Sequence, residues 1–163
     1  MTAPEATRVL RIDDLAAQAG ESLGTGPWRT VSQADIDGFA DITGDHQWIH
    51  VDPVRAATGP FGGTVAHGFL TLSLCAVILD EVLSVEDAAM TVNYGLERVR
   101  FPSPVHAGSE VRGAVELVSA EPLEGGVQAI LRVTIETRGA TKPACVADCV
   151  IRFYRASKEE EGS

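Results

Sequence analysis

At 163 residues the chain is about the length of one domain, which leaves no room for a separate cofactor module. Apolar residues make up 45% and charged residues 22%, an ordinary globular balance that excludes disorder over most of the length. With 13 Lys and Arg against 23 Asp and Glu, the net charge of −10 would repel a phosphate backbone and excludes nucleic acid as a partner, although local arginines can still hold an anionic small molecule.

No stretch reaches the roughly 18 apolar residues that a membrane span needs, and residues 1–8 lack a basic region followed by an apolar one, so a cytoplasmic protein is expected. Cys75, Cys145 and Cys149 are an odd number without CxxC spacing, which suits reduced, buried thiols better than disulfides or a zinc site.

In chain order, residues 12–20 read as a short helix and 28–31 as a brief strand. Ser32 can cap the next helix with Asp35 three residues on, and Ile36, Phe39, Ala40 and Thr43 recur at helical spacing up to a stop at Gly44. Asp52 followed by Pro53 predicts a second helix start, which leaves 45–50 as a connecting loop. Residues 68–83 are apolar nearly all round, so this helix is expected to be buried on every side.

From Met90 onward the period changes to two. Val111, Gly113, Val115 and Leu117 share one strand face, as do Val127, Ala129, Leu131, Val133 and Ile135, and then Cys145, Ala147, Cys149, Ile151 and Phe153. Turn signals at 103–104, 125–126 and 139–143 make this half an antiparallel meander, and one buried helix followed by long strands predicts an α+β sheet wrapped around that helix. The chain is expected to be one domain over 1–157 with its core at about 30–155, and 158–163 to be a frayed polar tail.

Chemistry is densest in Thr43-Gly44-Asp45-His46-Gln47-Trp48-Ile49-His50. On a continuous helix Asp45 and His50 would point about 140° apart, so they converge only if the chain turns between them. A carboxylate and an imidazole meeting there could grip one water, which is what addition across a double bond requires. Read alone, Asp45 could equally cap a turn and His50 be a satisfied, half-buried histidine. His46 and His50 stand at i, i+4, but with no helix predicted there and no cysteine near, no metal site is expected.

The second constellation is Val65-Ala66-His67-Gly68, leading straight into the apolar helix. The Gly68 amide, with no side chain in front of it, can donate to a developing oxyanion, or the glycine can simply relieve crowding. His67 beside it could orient a group or cap the helix. Trp48 could line a pocket or anchor its loop. Arg98 and Arg100, ahead of Pro102 and Pro104, could meet a phosphate-bearing ligand or form a solvated strand face.

Phe39-Ala40-Asp41-Ile42-Thr43-Gly44-Asp45, with His50 and then Ala56, resembles the hydratase-2 motif of MaoC-like dehydratases, the (R)-specific enoyl-CoA hydratases. Ala66-His67-Gly68-Phe69-Leu70 and Val99-Arg100-Phe101-Pro102-Ser103-Pro104-Val105 are similar to that family too, and the resemblance covers roughly 32–154. It implies the hot-dog fold, Asp45 and His50 as the catalytic pair, the Gly68 amide as oxyanion donor, and a homodimer. Trp48, His67 and Arg100 are candidate substrate contacts. Where the best-known branch has asparagine and proline this chain has Gln47 and Trp48, which resembles the branch containing nodulation protein N. Where some short-chain hydratases place a serine on the central helix, this chain has Ala76.

The expected activity is therefore reversible hydration of a trans-2-enoyl-CoA to the (3R)-3-hydroxyacyl-CoA in fatty acid metabolism, with coenzyme A thioester as substrate and no metal or redox cofactor. The stereochemistry rests on the resemblance alone. A non-catalytic acyl-thioester binder and an acyl-CoA thioesterase are the alternatives.

Overall fold

The computed structural model describes residues 7–156; the expected tail at 158–163 lies outside the described residues. Strand β1 (Arg8–Leu10) leads into the expected short helix, a 3-10 helix over Ile12–Gln18. Short strands β2 (Ser22–Thr25) and β3 (Arg29–Val31) precede helix α1 (Gln33–Thr43). Two one-turn helices follow, α2 (Trp48–Val51) and α3 (Pro53–Ala56), then the long helix α4 (Gly68–Val82). The remaining strands are β4 (Leu83–Val85), β5 (Met90–Arg100), β6 (Ser109–Leu123), β7 (Gly126–Thr137) and β8 (Cys145–Tyr154).

Local signals explain the helix ends. Ser32 and Asp35 form a reciprocal capping box at the start of α1, and Gly44 closes it at φ 77°, a left-handed conformation that glycine adopts without strain. Asp52 accepts from the Arg55 amide and Pro53 opens α3, as the sequence predicts.

The sheet runs β2-β6-β7-β8-β5, antiparallel, with β3 on the same strand β6 as β2; β1 and β4 form a separate parallel pair. The expected meander holds for β6, β7 and β8 but not for β5, which lies at the far edge beside β8. The connection after β5 does not turn back as a hairpin because it is tied to the loop ahead of α4. The Ala66 amide donates to the Val105 carbonyl, the Ala107 amide to the Thr64 carbonyl, and Val65 bridges to His106.

Helix α4 packs across the inner face of this sheet, where Val111, Val115, Leu117, Leu131, Val133, Ile135, Cys145 and Ala147 are all but inaccessible. The three cysteines are buried and unbridged. Ahead of residue 30, Ile12, Leu15 and Leu23 also enter the core, because the 3-10 helix packs its apolar side against β6 and β7. Contrary to expectation, α4 is not enclosed on every side: Phe69, Ser73, Ala76 and Asp80 form an exposed stripe, with Phe69 71% accessible, because the sheet of one chain does not wrap that far round. Among the described residues, no helix is long and apolar enough to cross a membrane.

Helix and sheet pack tightly at Gly113, where an added Cβ would lie 2.6 Å from Ile78 Cγ2. Gly113→Ala is expected to cost about 1–3 kcal/mol through overpacking, read as a lower urea midpoint at unchanged m value. An unchanged midpoint would mean that α4 and β6 do not meet this closely.

Candidate active site

The turn at Gly44 sends Asp45 away from the axis of α1. Its Oδ1 accepts from the Gln47 amide at 3.3 Å, a local Asx turn that sets the direction of α2. The expected loop at 45–50 thus contains one helical turn, Trp48–Val51, whose tight geometry brings His50 back beneath Asp45. His50 is buried, and its Nδ1 donates to the Val65 carbonyl at 2.6 Å.

His67 completes the cluster from the N-cap of α4. Its ring stacks on that of His50 with centroids 3.7 Å apart and planes 24° from parallel, and the ring of Phe39 packs on it at 5.1 Å. Its Nε2 donates to the Asp45 carbonyl at 2.9 Å and lies 4.0 Å from the Asp45 carboxylate. Main-chain carbonyls only accept, so the proton of each neutral ring is assigned: Nδ1 on His50 and Nε2 on His67. His50 Nε2 is left to gain or lose a proton. His67 Nδ1 is buried without a partner.

One polar atom from each of Asp45, His50 and His67 lies within 4.8 Å of the others. A triangle of that size lets a single water sit about 2.8 Å from all three. One carboxylate and two imidazoles are also metal-ligand types, although the Nε2 of His67 is already engaged with the Asp45 carbonyl. The side chain of Asp45 is 55% accessible and that of His67 is 4%, so the cluster has one wet and one dry wall.

Gly68 is the first residue of α4, and no side chain caps this helix start, so its amide projects as an unpaired donor at the positive end of the dipole. A Cβ there would come within 3.2 Å of the Phe101 ring. Gly68, His50, Phe61, Phe101 and Pro104 line a cavity of about 400 Å³. The sequence thus separates Asp45, His50, His67 and Gly68 by up to 23 positions; the fold gathers Asp45, His50 and His67 into one cluster, and His50 joins Gly68 in lining the cavity.

The other candidates sit elsewhere. Trp48 does not line this cavity; it packs on Gly59, under the Arg55 guanidinium at 4.4 Å, and anchors the short helices. Arg100 is exposed outside the cavity and donates to the Val99 carbonyl. Arg98 faces Asp148, whose carboxyl is held below its ordinary range chiefly by its hydrogen bond to Arg132. His46 turns outward to Asp41 at 2.9 Å and does not join His50. Sequence reasoning missed the Val65 carbonyl and the neighbours Thr64 and Gln33, because a main-chain acceptor has no signature in residue type.

The MaoC like domain model matches residues 14–138. The chain belongs to the MaoC-like family. This MaoC-like chain is 51% identical over 143 residues to the 3-hydroxyacyl-thioester dehydratase Z of Mycobacterium tuberculosis (strain H37Rv), covering 87% of this chain and 95% of that one. It is 44% identical to nodulation protein N of Rhizobium leguminosarum bv. viciae, over 86% of this chain and 89% of the other. Its backbone superposes on the (R)-hydratase of A. caviae involved in PHA biosynthesis with a TM-score of 0.69 at 25% identity, covering 83% of this chain and 96% of that one. The fold is the hot dog, a long helix wrapped by an antiparallel sheet.

Hydrogen bonding to Asp41 raises the pKa of His46 above its ordinary 6.5. A raised folded-state value means that this pair stabilises the fold fully below the unfolded value and stops doing so as pH rises through the folded one. Asp41→Asn is expected to bring the His46 titration back toward 6.5 in an NMR pH series; an unmoved midpoint would break the assignment of His46 to Asp41.

Proposed function

We propose that this MaoC-like protein adds water reversibly across a trans-2-enoyl-CoA to give the (3R)-3-hydroxyacyl-CoA, within fatty acid metabolism. The observation that carries the reading is the convergence of the Asp45 carboxylate and the tautomer-fixed His50 beside the unpaired amide of Gly68. The names of its relatives support it: one is a dehydratase of 3-hydroxyacyl thioesters and another an (R)-hydratase.

In the hydration direction Asp45 and His50 hold the water. Its oxygen bonds to C3 as one of the pair removes a proton, and the π electrons move onto the thioester as an enolate. The Gly68 N–H donates to that oxygen, and the pair passes the proton taken from the water to C2, which completes C2–H and returns both groups to their starting forms. Elimination retraces these steps. Positioned acid–base groups contribute about 10²–10⁴-fold and an oxyanion donor about 3 kcal/mol. Neither a metal nor a redox cofactor takes part in this scheme, and coenzyme A enters only as part of the substrate.

The working form is proposed to be a homodimer. The stripe Phe69, Ser73, Ala76 and Asp80 on α4 adjoins the unpaired edge of β5, where Tyr94 is 59% and Leu96 45% accessible. A second copy laid against this apolar face would cover both. Sedimentation is expected to give twice the 17.2 kDa chain mass, and a monomer at micromolar concentration would refute the dimer.

The deciding assay follows the ultraviolet absorbance of crotonyl-CoA and longer enoyl-CoAs, with chiral analysis of the product. Wild type is expected to consume the enoyl thioester and yield the (3R) alcohol. Asp45→Asn and His50→Gln should each fall by about 10²-fold or more while melting as wild type. Thermal stabilisation by acyl-CoA without turnover would instead favour a binder, and release of free thiol a thioesterase.

A further inference from the structure

We infer that Gln33, with Thr64, is a positioning residue for His50, a role that rests on the hydratase reading above. Gln33 is the first residue of α1, inside the capping box formed by Ser32 and Asp35, so its backbone is held before its side chain reaches out. Its Nε2 donates to the His50 carbonyl at 2.8 Å and to Asp37 Oδ1 at 2.8 Å, while its Oε1 accepts from the Thr64 hydroxyl at 2.5 Å. The orientation of this amide is unambiguous. A carbonyl and a carboxylate only accept, so the NH2 group must face them and the oxygen must face the hydroxyl.

Thr64 is buried, and its neighbour Val65 supplies the carbonyl that holds the His50 imidazole. The Val65 amide in turn donates to the Ile49 carbonyl at 3.0 Å. The pair Thr64 and Val65 is therefore stitched to the turn carrying His50 at three points: the imidazole Nδ1, the Ile49 carbonyl and, through Gln33, the His50 carbonyl. Gln33 is the only one of these ties made by a side chain from a third element. It ties the start of α1 to the His50 carbonyl directly and to Thr64, the neighbour of the Val65 carbonyl that holds the imidazole. The reacting nitrogen, Nε2, depends on this, because the ring can pivot about its Cβ unless both its main chain and its Nδ1 are held. A displacement of about 1 Å in a reacting group can cost about 10²-fold in rate. Gln33 does not itself line the cavity and meets His50 only at its main-chain carbonyl, so its effect is on alignment and not on substrate affinity.

The test uses the full-length protein carrying Gln33→Leu, Gln33→Glu, Thr64→Val and the double variant Gln33→Leu/Thr64→Val. Variants are compared at matched folded fraction, judged by thermal melts. Gln33→Leu is expected to lower kcat by about tenfold or more with KM within about twofold. Gln33→Glu should be as impaired, since a carboxylate keeps the size and the Thr64 contact but cannot donate to the His50 carbonyl. The double variant should fall little below the worse single one, as expected for two groups acting through one tie. Independently of turnover, ¹⁵N NMR of the histidine rings should show His50 in the Nδ1–H form in wild type and a mixture of tautomers in the double variant. Gln33→Leu or Gln33→Glu with kcat within twofold of wild type would overturn the proposal, as would an unchanged His50 tautomer in the folded double variant. No turnover by wild type, with a His50 tautomer that still depends on Gln33 and Thr64, would overturn the hydratase reading while supporting the tie.

Discussion

Close packing of α4 against β6 is the contact from which the rest of the molecule is built. Ile78 lies where a side chain on Gly113 would be, so the helix seats this side chain directly on the bare backbone of the sheet. An apolar helix of this composition gains by burying one side on the sheet and leaves only a narrow stripe, Phe69, Ser73, Ala76 and Asp80, exposed. With the helix axis set, its N-terminus is set too. That end carries Gly68 and His67, and everything the site needs is brought to it.

The site is held mainly by main-chain carbonyls. Val65 and Asp45 each accept from an imidazole, and since neither can donate, each assigns the position of a proton. The stacked rings then share one location without competing for it: His50 presents a free Nε2 while His67 is spent on holding Asp45. A carboxylate with solvent on one side and an imidazole buried on the other can pass protons between solvent and a buried group. The dry wall keeps the dipole of α4 unscreened, which is where a developing enolate would feel it most.

The outer face of the sheet follows a different economy. Glu116, Arg132, Asp148 and Arg98 stand opposite one another across β6, β7, β8 and β5, so charges of alternating sign neutralise each other along the row. This is why the strand-end arginines, which read in sequence as possible phosphate ligands, are engaged with the sheet or the solvent and not with the cavity. The free edge of β5 and the neighbouring stripe of α4 leave Phe69, Tyr94 and Leu96 exposed in one chain.

Much of this was legible from residue order because it depends on local or periodic physics. The capping box at Ser32, the stop at Gly44, the proline start at Pro53 and the strand faces through Val111, Leu131 and Cys149 all follow from torsional preference or from period-two burial. The cluster at Asp45 and His50 was visible because a turn between them is required for the two to meet. The place of β5, the open side of α4, the stack of His50 on His67 and the partnership of Gln33 with Thr64 were decided only by the tertiary structure. These are contacts between segments far apart in the chain, several through backbone atoms that every residue type shares. Periodicity records which way a side chain faces; what it meets there depends on how the long elements pack.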